Sequence, residues 1–176
     1  MSTTANAATC AGIEMPDEIR RGGKTLVLNG MGLRLARFLA FQAKVYAAGL
    51  YLPKRSPNAS SIINVDQPRI IALYFLRDVN EQRIRRSMQQ SFERNAGNRI
   101  DRLRNQIAEF QNAIPDLKAG QLLIFSYLPD NGTTVTLEGT KKAVIKGAEF
   151  ASALFSLWLG NPPNQELKVG LLGGAC

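Results

Sequence analysis

Arg34, Arg37, Lys44, Tyr46 and Tyr51 stand inside an otherwise almost wholly apolar stretch, LVLNGMGLRLARFLAFQAKVYAAGLYL, at residues 26–52. A guanidinium in such a run needs a partner, because an unpaired buried charge carries a large free-energy penalty. The partner is either a protein carboxylate, for instance Asp78 after the next apolar segment, or the anionic group of a ligand. If Arg34 and Tyr46 lie on strands facing inward, two parallel N–H donors and one O–H donor converge on one point. That arrangement suits a carboxylate head group. The residues alone leave the ion pair and the ligand equally open.

Other chemistries are bounded by what the chain lacks. Histidine is absent from the 176 residues, which removes the commonest general base and metal ligand together. Cys10 and Cys176 are the only two thiols, too few for a structural zinc or iron–sulfur site within the chain. No metal or cofactor is expected. The cysteines could be bridged in an oxidising compartment or free in the cytosol.

The net charge of +8 permits an anionic partner without choosing one. Arginines 83, 85, 86, 94, 99, 102 and 104 crowd the middle of the chain. Glu81, Glu93, Asp101 and Glu109 interleave with them and no aromatic residue alternates to stack on bases, so a solvated helical face is expected rather than a nucleic-acid surface. Gly30-Met31-Gly32 lacks the third glycine and the following acid of a dinucleotide fingerprint. It reads instead as a place where the chain turns and other backbone comes close. No run is long and apolar enough to span a bilayer.

The elements that must position Arg34 and Tyr46 follow from pattern. Residues 1–12 read as a flexible tail and 13–173 as a single domain. Residues 24–29 (KTLVLN) form a strand stopped by Gly30. The run 33–52 stays ambiguous: its alanine content suits an amphipathic helix, while alternation would set Val45, Ala47 and Gly49 against Lys44, Tyr46, Ala48 and Leu50 on a strand. A short helix at 56–64 and a buried strand at 69–76 come next. Asn80 caps a helix to residue 94, and a second helix covers 100–113. Three strands at 121–127, 133–138 and 142–146 make a meander through an Asp-Asn-Gly turn. Helices at 149–159 and 165–172 follow. Strands around a helical middle indicate α+β with a largely antiparallel sheet.

The segments LNGMGLR, KVYAAGLYLPK, ALYFLRDV and KGAEFASALFSLWLGNPP, in this order and spacing, resemble the chalcone isomerase superfamily, most of all its bacterial chalcone isomerase-like branch. The resemblance implies an open-faced β-sandwich, a large antiparallel sheet with helices packed on one side, and so turns the ambiguous centre into strands. The superfamily joins isomerases that close a flavanone ring to fatty-acid-binding proteins that do no chemistry, both with an arginine where Arg34 stands. The isomerases have threonines where this chain has Tyr46 and Leu157, and a tyrosine in the helical middle, where none occurs here between Phe75 and Ser126. The binders use an arginine and a tyrosine, matched by Arg34 and Tyr46.

The resemblance thus implies a non-catalytic binder of a fatty acid or similar amphipathic carboxylate. Its tail is expected near Phe150, Leu154, Leu157 and Trp158. The alternative is an isomerase on a chalcone-like or unknown substrate, with Arg34 stabilising an oxyanion. Related bacterial proteins often carry an export signal. The resemblance therefore implies a periplasmic protein with its leader removed, a cytoplasmic location being the alternative; the small residues Ala5-Asn6-Ala7 read either as the tail of a cleavage site or as the disordered start of a cytosolic chain.

Overall fold

The computed structural model describes residues 7–176. Strands β1 (Ala7–Cys10) and β2 (Ile13–Pro16) pair as a separate antiparallel ribbon. The seven strands that follow form one antiparallel sheet in chain order: β3 (Glu18–Arg21), β4 (Lys24–Arg37), β5 (Gln42–Leu52), β6 (Arg69–Phe75), β7 (Leu122–Leu128), β8 (Gly132–Leu137) and β9 (Thr140–Ile145). Helices α1 (Ala59–Asn64), α2 (Glu81–Ala96), α3 (Arg104–Asn112), α4 (Ala148–Leu159) and α5 (Gln165–Leu171) complete the α+β architecture. Of the 1–12 stretch read as a tail, residues 1–6, with Ala5-Asn6, lie outside the described residues. Residues 7–10 are not a tail but β1, because Cys10 and Met15 bury themselves beneath this ribbon.

The ambiguous centre is two long strands. Alternation sorts its apolar residues between two covers: Ala48, Leu50 and Leu52 join the large core that includes the helices, while Ala47 and Tyr51 join a second cluster with Cys10 and Met15 of the ribbon. A strand buried on both faces reads as continuous apolar sequence, which is why periodicity alone could not separate it from a helix.

β4 also runs straight through the glycines expected to end it. At Gly30 and Gly32 the backbone of α5 comes within contact, and a Cβ on Gly32 would lie 3.0 Å from the Leu167 carbonyl carbon. The glycines serve close approach, as expected, but not a turn. A register shift between Leu28 and Gly30 sets Asn29 apart. Its side chain donates to the carbonyls of Leu171 (2.8 Å) and Ser56 (3.0 Å) and accepts from Ser56 N–H (2.7 Å). Strand, loop and last helix are thereby fixed to one another.

α2 starts where Asn80 accepts from Arg83 N–H at 2.9 Å, and it buries Ile84, Ser91, Phe92 and Ala96. α3 is shorter than the helix expected over 100–113: residues 100–103 form turns after a 3-10 turn at Gly97–Arg99, and the helix begins only at Arg104. α4 is buried on almost every side, as an apolar helix lying between a sheet and other helices must be. Arg69 is the one fully buried arginine of the described residues, 1 % exposed. It donates to the carbonyls of Val65 (2.7 Å) and Ile62 (3.2 Å), and its guanidinium lies 4.9 Å from the Tyr127 ring and 5.0 Å from the Phe155 ring. It therefore closes the end of α1 and belongs to the scaffold.

Candidate ligand-binding site

Arg34 and Tyr46 are direct cross-strand partners on β4 and β5. Between the pairs Arg34–Tyr46 and Leu35–Lys44 the register slips by one residue, and Val45 is the extra one. The bulge turns Val45 and Tyr46 together into one cavity, with Arg34 and Ala36 entering it from alternate positions of β4 and Phe38 from just beyond its end. Val45 and Lys44 thus exchange the faces that simple alternation gave them.

The cavity has a volume of about 250 Å³. Its floor is sheet, from Leu73 and Phe75 of β6 and Leu123 of β7. Its roof is helix, from Ile84, Met88 and Ser91 of α2 and Leu157 and Trp158 of α4. Val79 and Leu117 close one side, their backbones exchanging two hydrogen bonds of 2.9 Å.

The polar groups sit at one wall. Trp158 Nε1 donates to the Tyr46 hydroxyl at 3.0 Å, and the Tyr46 ring leans on Phe75 at 5.4 Å between centroids. The hydroxyl thereby accepts from the indole, and no acceptor among the described residues takes its own proton. Burial raises the Tyr46 pKa, opposed by the positive charge of Arg34 and by the indole N–H, so the phenol stays a donor. Arg34 spends an Nη1 proton on the Leu35 carbonyl. Among the described residues no carboxylate lies within ion-pair distance of it. Burial lowers the Arg34 pKa, and the nearby charge of Arg94 acts in the same direction. The wall is thus a partly buried, electropositive patch with unspent donors.

Asp78, the candidate protein partner, does not reach Arg34. It accepts from Ala119 N–H at 2.9 Å and lies 3.4 Å from Lys118 Nζ, contacts that, the backbone bond first, hold its carboxyl below the usual range. Of the four residues expected along the tail, Leu157 and Trp158 line the cavity and Phe150 and Leu154 do not. Only the last turn of α4 reaches it. Phe150 instead packs against Phe92 and Phe110, at 6.2 and 5.6 Å between centroids, and Leu154 is wholly buried in the same core. Sequence reasoning missed Val45, Ser91 and the rim arginines Arg77 and Arg83. Ile84 and Met88 stand four residues apart on α2, a spacing that reads as core until a gap beneath it is seen.

A family model described as chalcone isomerase-like matches residues 7–173. The crystal structure of an Arabidopsis thaliana fatty-acid binding protein superposes with a TM-score of 0.77 at 18% identity, covering 95% of this chain and 96% of that one. No curated protein sequence matches the chain. The structural likeness extends over the whole sheet-and-helix assembly and fixes the fold.

Proposed function

The chain belongs to the chalcone isomerase-like family, and on that footing we propose that it is a non-catalytic binding protein for a fatty acid or similar amphipathic carboxylate. Arg34 and Tyr46 hold the head group, and Leu157 and Trp158 flank the tail. The observation that carries this reading is the partly buried Arg34 at the wall of a mainly apolar cavity, with no carboxylate of the described residues within ion-pair distance of it; Asp78, which lines the same cavity, is paired with Lys118 instead. A fork of that kind is satisfied by a planar two-oxygen anion. The Arabidopsis neighbour is a fatty-acid binding protein, which supports the same class.

Cavity size limits the guest. A water molecule's share of liquid volume is about 30 Å³ and a methylene has similar bulk, so about 250 Å³ encloses a carboxylate and a short to medium chain. Longer tails would emerge at the mouth. Each enclosed methylene adds about 0.8 kcal/mol, or roughly fourfold in affinity. Affinity along a series of straight-chain acids should climb by that factor and then level off. The disulfide Cys10–Cys176 supports an oxidising compartment, such as the periplasm.

Calorimetric titration with octanoate and with octanol tests the head-group assignment. Octanoate is expected to bind well ahead of the alcohol of equal length. Equal affinities, or no heat from either, would end it.

A further inference from the structure

The hairpin joining β4 to β5 carries the densest exposed apolar surface of the described residues. Phe38, Leu39 and Phe41 are 43 %, 112 % and 60 % exposed. Phe38 and Phe41 exchange backbone hydrogen bonds of 2.8 and 3.3 Å, which puts Leu39 and Ala40 at the very tip. Neither tip residue has a positive φ, and neither is a residue that tight hairpin turns select. Turn geometry does not account for a leucine standing clear of the protein. The Phe38 and Phe41 rings stack below it, 5.0 Å apart between centroids.

A cationic collar surrounds this apolar tip. Arg37 and Lys44 lie on the sheet face turned away from the cavity, by alternation and by the Val45 bulge. Arg77 and Arg83 stand on the cavity rim, with the Arg77 guanidinium 5.9 Å from the Phe38 ring centroid. Two acids belong to the same region. Asp78 is neutralised by Lys118, and Glu166 lies within the field of Arg37. The balance stays positive.

We infer that this hairpin docks the protein on an anionic lipid surface, Leu39 and the two phenylalanines entering the interface and the collar meeting the head groups. Exposed leucine and phenylalanine beside lysine and arginine is the composition of interfacial anchors, and basic residues near an anionic bilayer strengthen binding by roughly fivefold each. A protein partner fits less well. A stable interface buries about 800 Å² on each side, more than one leucine and two phenylalanines supply at about 150–250 Å² per aromatic ring. A convex tip suits a fluid phase that closes around it. Phe38 also lines the cavity, so docking would bring the mouth to the membrane; that last clause alone rests on the carboxylate reading.

The test is flotation with vesicles of phosphatidylcholine containing about one third phosphatidylglycerol, beside pure phosphatidylcholine vesicles and octanoate titration in buffer. The chain should float with the anionic vesicles and come off at high salt. Leu39→Glu should weaken this association about tenfold or more, and Lys44→Ala roughly fivefold, with octanoate binding in buffer unchanged in both. No association of the unaltered protein, or equal association of Leu39→Glu, would overturn the docking surface. So would a dimer in sedimentation velocity that Leu39→Glu dissolves, since a second copy would then cover the tip. Docking lost with octanoate binding intact removes this inference alone; octanoate binding lost with docking intact removes the carboxylate reading alone.

Discussion

Arg34 is the residue whose replacement separates recognition from folding. Its charge-assisted contact with a carboxylate should be worth about 1.5–3 kcal/mol, so Arg34→Ala is expected to weaken octanoate by roughly ten- to a hundredfold while leaving octanol unchanged. The urea midpoint should hardly move, because no ion pair among the described residues is lost. A large fall in that midpoint would mean the guanidinium serves the scaffold, as Arg69 does. Tyr46→Phe makes a contrasting case. It strands the Trp158 N–H, which donates to the Tyr46 hydroxyl at 3.0 Å, and an unmade buried bond costs about 1–3 kcal/mol. Both stability and octanoate affinity should therefore decline, the affinity by less than in Arg34→Ala.

Among the elements, β4 and α5 depend on glycine at their crossing. Gly32→Ala would drive a Cβ into the backbone carbonyl of Leu167, its oxygen first, and overpacking costs typically about 1–3 kcal/mol; urea unfolding should register a loss at the upper end of that range or beyond. The crossing was partly legible in sequence. Gly30 and Gly32 announced close backbone approach, yet they also looked like the end of a strand, because the helix that needs them lies more than a hundred residues further along. Arg34 and Tyr46 stood out because polar residues are rare in their surroundings. The Val45 bulge left no trace, since one extra residue in a ladder changes no composition. That Phe150 and Leu154 lie in the core and not along the cavity was hidden for a related reason. A helix apolar on every side shows which residues are buried but not which turn borders empty space.

At the scale of the whole molecule, the Cys10–Cys176 disulfide closes a loop across a sequence separation of 166. In the chain-entropy picture such a loop is worth about 5 kcal/mol, so reduction, or Cys176→Ser, should lower the urea midpoint by a large step. Alkali should act as well. Tyr51, donating to the Pro16 carbonyl at 2.9 Å, is pushed up to about 12 by burial and then by Asp17. Tyr127, bonded to Asp66, is also pushed up to about 12, first by burial. Unfolded tyrosine ionises near 10. Above that pH the unfolded chain releases protons the folded one keeps, so stability is whole below pH ~10 and should drain away as pH rises toward ~12. Trp158 adds a different consequence. It is the only indole in the chain, and it sits in the cavity wall bonded to the proposed head-group donor. Its ultraviolet emission should therefore change colour or brightness when a guest displaces water there, letting unlabelled lipid libraries be screened in a cuvette.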